Sequence, residues 1–228
     1  MSIEKRYGMV IDLRHCLGCG ACEAACSQAN GAPEKLWRQV KDLGILPHSD
    51  GLRLTIPISC MHCEEPACQS VCPTGATHQE DGIVSVDPNR CIGCGYCILA
   101  CPYRARVIYR SEMDFDRAPA RARGPETGER VGTCTKCDFC SKRVSDGEKA
   151  GLVPGEDAAA TPACVVNCSA QAIVFGDLND PQSKISRLIA THHTVRLAEE
   201  KGTRPRIYYI VDCCESFTKG IDHAIANQ

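Results

Sequence analysis

Sixteen of the chain's cysteines fall into four spaced groups, and thiolates at such spacings have one leading chemistry, the holding of iron–sulfur clusters. In order these are Cys16-x2-Cys19-x2-Cys22-x3-Cys26, Cys60-x2-Cys63-x4-Cys68-x3-Cys72-Pro73, Cys91-x2-Cys94-x2-Cys97-x3-Cys101-Pro102, and Cys137-x2-Cys140 followed by Cys164-x3-Cys168. A cubane 4Fe–4S cluster needs four thiolates in roughly tetrahedral directions. One tight Cys-x2-Cys-x2-Cys loop wraps three corners before its backbone is exhausted, so the fourth ligand must come from elsewhere.

The third group matches, residue for residue, the run of bacterial two-cluster ferredoxins, in which the last cysteine serves the other cluster of the pair. That cysteine is expected on the first turn of a following helix, pointing away from its own loop. The exchange assigns Cys60, Cys63, Cys68 and Cys101 to one cluster and Cys91, Cys94, Cys97 and Cys72 to another. The outer groups close the same way: Cys16, Cys19 and Cys22 with Cys168, and Cys137, Cys140 and Cys164 with Cys26. Four clusters consume these sixteen residues and leave Cys134, Cys213 and Cys214 over.

Structural zinc takes two Cys-x2-Cys pairs per metal rather than triple runs with an x3 tail. Disulfides belong to small oxidised domains with dispersed cysteines. Cys134-x2-Cys137-x2-Cys140 also reads as a triple run, but that assignment leaves one thiolate too many, so Cys134 is expected to be a spare thiol. Cys213 and Cys214 follow an apolar stretch and are expected to be free thiols at a strand end.

The elements that must position these groups are sparse. Aromatic content is 5 %, so the conventional core is expected to be thin, with metal centres cross-linking it and the apoprotein unstable. The formal charge is −2, to which each oxidised cluster with its thiolates adds about two negative charges. Lys and Arg residues beside the motifs, namely Arg14, Arg90, Lys136, Lys142 and Arg143, are candidates to offset them. The start, MSIEKRYGMVIDLRHC, shows no signal-peptide core, and no apolar run approaches a membrane span.

Residues 7–13 and 82–87 read as strands delivering the chain to the first and third cysteine loops, and 171–175 as the return strand after Cys168. An irregular internal repeat of strand, cysteine loop and helical turn results. Residues 111–132, with Arg117, Arg121, Arg123 and Arg130, read as a solvated surface loop; the absence of interleaved aromatics argues against nucleic acid. Residues 145–162 resemble an exposed insertion. A helix is expected from about Lys184 to Glu200, stopping at Gly202 and burying Ile185, Leu188, Ile189 and Leu197, with His192 and His193 as surface or packing residues. A strand is expected over 206–211.

The four runs in this order, the x4 spacing in Cys63-Glu-Glu-Pro-Ala-Cys68, and the segments Cys134-Thr-Lys-Cys-Asp-Phe-Cys140, Thr161-Pro-Ala-Cys-Val-Val-Asn-Cys168 and Phe175-Gly-Asp-Leu-Asn-Asp-Pro181 resemble one family. It is the iron–sulfur electron-transfer subunit of dimethyl sulfoxide reductase-family molybdopterin oxidoreductases, nearest to those serving arsenate, tetrathionate, thiosulfate and polysulfide reductases. The resemblance implies an α+β fold of two tandem ferredoxin-like modules with loop insertions and a C-terminal helix–strand extension. The outer module would comprise 1–55 and 131–212 and the inner module 56–112, with a surface loop at 113–130 and a tail at 213–228. It implies a large molybdopterin-bearing catalytic partner, and either periplasmic location by co-export with that partner or a cytoplasmic one. Cys68 is kept where some members lose a ligand, so four cubanes are expected. Ser27 and Ser169 stand where proline often follows the last cysteine, putting the turn geometry in question.

The expected function is a non-catalytic relay between that catalytic subunit and a quinone-linked membrane subunit or a soluble carrier, serving respiratory turnover of an arsenic or sulfur oxyanion. The rival is a free-standing polyferredoxin, against which the long inserts argue. An enzyme in its own right is disfavoured: no glycine-rich nucleotide loop is present, and fully thiolate-ligated cubanes leave no open iron.

Overall fold

A computed structural model describes residues 5–32, 37–45, 53–110 and 131–211. Both ends of this span meet in one four-stranded sheet. Strand β1 (Tyr7–Asp12) lies between β8 (Ile173–Asp177), antiparallel to it, and β10 (Ile207–Ile210), parallel to it; β9 (Thr194–Val195) closes the edge against β10. Every residue of β1 is buried, as befits a central strand covered on both faces. Three two-stranded ladders complete the described β structure: β2 (Arg38–Ile45) with β3 (Arg53–Ser59), β4 (Thr77–Glu80) with β5 (Ile83–Val86), and β6 (Val107–Ile108) with β7 (Cys134–Thr135).

Each cysteine group is followed by, or contains, a short helix: α1 (Ala21–Asn30), α2 (Ala67–Ser70), α3 (Tyr96–Leu99) and α5 (Ala163–Val166). The expectation that each last cysteine sits on the first turn of a helix needs correcting. Cys26 lies within α1, whereas Cys72, Cys101 and Cys168 lie two residues past their one-turn helices. Cys72 and Cys101 precede prolines, which cannot continue a helix. Ser27 imposes no such stop; α1 runs on, and the buried Ser27 hydroxyl donates to the Ala32 carbonyl at 2.6 Å.

Two further expectations change. The C-terminal helix, α6, spans only Lys184–Thr191; His192 is already extended, and Thr194 and Val195 pair with Ile210 and Tyr209. Edge pairing of a β-branched pair thus overrides continuation of the helix. Ile185 is buried with Val10, Val174 and Ile210, and Leu188 and Ile189 pack against them, but Leu197 belongs to the main core. Residues 145–162 are not simply an exposed insertion. Helix α4 (Ser141–Lys149) buries Val144 and Gly147, and a Cβ on Gly147 would stand 2.4 Å from that of Ala160. The main core reaches the cysteine loops. It runs from Met9, Ile11 and Phe175 through Ile56 and Ile58 to the cysteine loops, with Cys22, Cys26, Cys60, Cys137 and Cys164 among its members. Residues 111–130 and 212–228, with Cys213 and Cys214, lie outside the described residues.

The segment between β9 and β10 straps the second cysteine loop to the rest of the molecule. Glu64 and Glu65 amides donate to the Arg204 and Thr203 carbonyls at 2.9 and 3.1 Å, and the Arg206 amide to the Met61 carbonyl at 2.9 Å. The Arg206 side chain reaches the Gly82 carbonyl at 2.8 Å.

Candidate iron–sulfur sites

All four cysteine loops share one backbone feature. Two residues after the first cysteine the chain turns left-handed, at Gly18 (φ 65°), His62 (φ 44°), Gly93 (φ 65°) and Phe139 (φ 57°). This turn brings the next cysteine back toward the first. The repeat is therefore more regular in backbone than in residue type. At Gly93 it is also enforced by crowding, because a Cβ there would meet the Gly132 carbonyl oxygen at 2.2 Å, whereas one at Gly95 (φ 81°) meets nothing within 4 Å. Gly93→Ala should therefore destabilise the protein more than Gly95→Ala, which carries only the left-handed strain of about 1–2 kcal/mol. Anaerobic thermal unfolding checks this; equal losses for the two variants would contradict it.

The structure brings the inner cysteines together across runs. One cavity is lined by Cys60, Cys63, Cys68 and Cys101, with Arg106 and Thr203 beside them. A second is lined by Cys72, Cys91, Cys94 and Cys97, and also by Cys134. In the outer half, Cys26 lies among Cys137, Cys164 and Cys140; burial, then these neighbours, push its thiol far up. Asn30 Nδ2 spans two of them, 3.7 Å from Cys26 Sγ and 3.5 Å from Cys140 Sγ. Cys16 lies close enough to Cys22 to contribute, after burial and other neighbours, to raising the Cys22 thiol to about 11. Cys168 packs at the margin of the same core, and its grouping with Cys16, Cys19 and Cys22 rests on the exchange rule.

Two buried guanidinium groups stand between these groups, and the sequence drew attention to neither. Arg38, 1 % exposed, donates from Nη2 to Cys164 Sγ at 3.3 Å and Met9 Sδ at 3.0 Å. Burial opposes its charge, but the thiolates of Cys164, Cys22 and Cys137 outweigh burial and hold it protonated. Its Nε and Nη1 have no partner among the described residues. Unused donors of a buried cation fit a cluster anion whose sulfides accept hydrogen bonds. Arg106, 6 % exposed, plays the same part in the inner half: Nη2 donates to Cys68 Sγ at 2.9 Å, and Nη1 to Thr77 Oγ1 at 3.2 Å and Cys134 Sγ at 3.6 Å.

Of the candidates drawn from sequence, only Lys136 is buried, and its ammonium donates to the Val84 and Cys137 carbonyls. Arg14 pairs with Asp12 and Lys142 with Asp146, while Arg90 and Arg143 bond the Thr74 and Ala158 carbonyls. Thr203 was also missed. It hydrogen-bonds Cys63 and Tyr103, although it lies 140 residues downstream of the loop it supports.

Between the inner and outer halves, His62 stacks on Phe139 with ring centroids 3.6 Å apart and planes 18° from parallel. These are the residues at the left-handed position of the second and fourth loops. His62 is completely buried, its Nδ1 accepts the Val84 N–H at 3.1 Å, and burial, then Lys136, Arg206 and Arg106, hold it neutral. The contacts thus place the groups in the order first, fourth, second, third: Arg38 at one junction, the ring stack at the next, Arg106 at the last. Cys19 and Cys94, in the two end groups, are exposed.

Among the described residues no helix is long and apolar enough to cross a membrane. Residues 53–117 match the 4Fe-4S dicluster domain. The sequence is 41 % identical over 219 residues to the protein designated the iron–sulfur B subunit of a dimethyl sulfoxide reductase in Halobacterium salinarum, covering 90 % of this chain and 78 % of that one. It is 38 % identical to the B subunit of selenate reductase from Mesobacillus selenatarsenatis, over 91 % of this chain and 72 % of the relative. With the B polypeptide of polysulfide reductase from Wolinella succinogenes it shares 38 % identity over 91 % of this chain and 95 % of the relative. This protein belongs to the iron–sulfur subunits of the dimethyl sulfoxide reductase-type oxidoreductases. Such a subunit transfers electrons within a reductase complex and is not its catalytic subunit.

Proposed function

We propose that this subunit holds four 4Fe–4S clusters in series and relays electrons between a molybdopterin catalytic subunit and a quinone-linked membrane subunit or soluble carrier. The ligand sets are Cys16, Cys19, Cys22, Cys168; Cys26, Cys137, Cys140, Cys164; Cys60, Cys63, Cys68, Cys101; and Cys72, Cys91, Cys94, Cys97. The observation carrying this reading is the convergence of cysteines from different runs on the two inner cavities, as the ferredoxin exchange requires. When bound, the clusters supply one-electron redox steps; the protein's own residues space them, bury them and set their potentials.

Arg38 and Arg106 favour the reduced, more negative state of their neighbours, and the Asn30 amide and Thr203 hydroxyl donate to ligand sulfurs, each raising potential. The tandem modules are proposed with the boundaries given above, the outer one closed by β1 and β8. Each end of the series carries exposed apolar residues beside its cysteines: Leu17 at the first loop, and Ile92, Tyr96 and Leu99 at the third. Such residues suit burial against partner subunits and fit a free polyferredoxin less well. The catalytic partner is proposed to turn over an arsenic or sulfur oxyanion, a class close to the selenate and polysulfide named for the relatives. Native mass spectrometry of the complex tests the assignment. A large molybdenum- or tungsten-containing partner in complex with this chain is expected; a monomer carrying its clusters alone would favour the diffusible carrier.

A further inference from the structure

Of the four cysteine loops, the two that meet between the inner and outer halves carry a ring at the left-handed position, His62 in the second and Phe139 in the fourth; the first and third have Gly18 and Gly93 there. A side chain held in that region carries backbone strain, which persists where the surroundings over-determine it. His62 is held on two sides. Its ring lies on Phe139 with centroids 3.6 Å apart, and Phe139 is in turn met edge-on by Phe175 at 5.3 Å. Its Nδ1 accepts the Val84 N–H at 3.1 Å, and the Val84 carbonyl accepts Lys136 Nζ, which also bonds the Cys137 carbonyl at 2.7 Å. Strand β5 thus ties the second loop to the fourth through one residue, Val84.

An Nδ1 that accepts a backbone N–H carries no proton, so the one proton of the ring sits on Nε2. That Nε2 is buried, in a side chain 0 % exposed, and has no partner among the described residues. Met61 and Cys63, on either side of His62, line the second-run cavity, whereas the His62 ring is laid on the fourth loop between Cys137 and Cys140. We propose that His62 Nε2–H donates to a sulfur of the fourth-run cluster, so that a residue of the inner half sets the potential of an outer cluster. This rests on the reading that the fourth loop holds a cubane. Donation to cluster sulfur stabilises the reduced, more negative state and raises the potential. The effect falls at the step where an electron crosses between the two halves.

The test compares the full chain, assembled and purified without oxygen, as wild type, His62→Phe and His62→Gln. Phenylalanine keeps a ring on Phe139 but has no donor, whereas the glutamine amide offers an N–H near the place of Nε2. Both variants should keep the wild-type iron and sulfide content. In an EPR-monitored titration His62→Phe should lower the potential of the fourth-run cluster alone, by about 59 mV for a tenfold shift in its one-electron equilibrium. That cluster is identified by the signal lost in Cys140→Ala. His62→Gln should recover most of the shift; equal shifts in the two variants would trace the effect to packing and overturn the proposal. Unchanged potentials in His62→Phe, or a shift confined to the second-run cluster, would overturn it as well. A wild-type protein without iron would instead overturn the cluster reading beneath it. Should the variants fail to fold or to hold iron, wild-type protein with isotopically labelled histidine nitrogen decides. Pulsed EPR of its reduced fourth-run cluster should show a weak hyperfine coupling to a histidine nitrogen, and absence of that coupling would refute the donation.

Discussion

Arg38→Met should strip iron from the outer half of the molecule while sparing the inner half. The guanidinium is enclosed, touches Cys164, and lies within the field of Cys22 and Cys137, so it faces both outer ligand sets at once. Removing one partner of a buried ion pair costs about 3–5 kcal/mol, because the other charge is left uncompensated. Here that other charge is that of the two clusters proposed for the outer half. Up to about eight irons are expected to go, with the EPR signals of the inner pair surviving. Arg38→Lys keeps the charge but lacks the planar fork, and should retain iron with lowered outer potentials. Full iron content and unchanged potentials in Arg38→Met would show that the arginine merely fills space.

Cys101→Ala gives the second large effect, and it is specific to the exchange of ligands between runs. Cys101 belongs to the third run by sequence but lines the cavity of Cys60, Cys63 and Cys68. Its replacement should cost or convert the second-run cluster, up to about four irons, and leave the third-run cluster near normal. Cluster-resolved EPR distinguishes the two. Disturbance of the third-run cluster alone would mean that each run closes on itself.

The meeting of inner cysteines from different runs around two cavities was legible in the spacings because covalent geometry is local: x2 and x3 intervals constrain where a sulfur can point. The strands leading into the first and third loops were legible for a similar reason, their alternation being short-range. What escaped notice is long-range. Arg38 follows the first run by twelve residues and reaches Cys164, 126 residues away, so nothing near either position announces the contact. Thr203 is brought to Cys63 only because β10 pairs in parallel with β1 and pulls the preceding strap across the second loop. The overlong helix has the same origin: Thr194 and Val195 could extend α6, but a partner strand from further along the chain claims them. Cys134 shows the limit of counting ligands. Subtraction left it without a role, whereas three-dimensional placement set it at the third cavity.

If thiolates donated across paired runs build four cubanes in one polypeptide, the metal content must say so. Iron and acid-labile sulfide, determined per polypeptide on anaerobically purified protein, should each come to about sixteen. A content of about eight or fewer, or zinc in place of iron, would contradict the four-cluster relay.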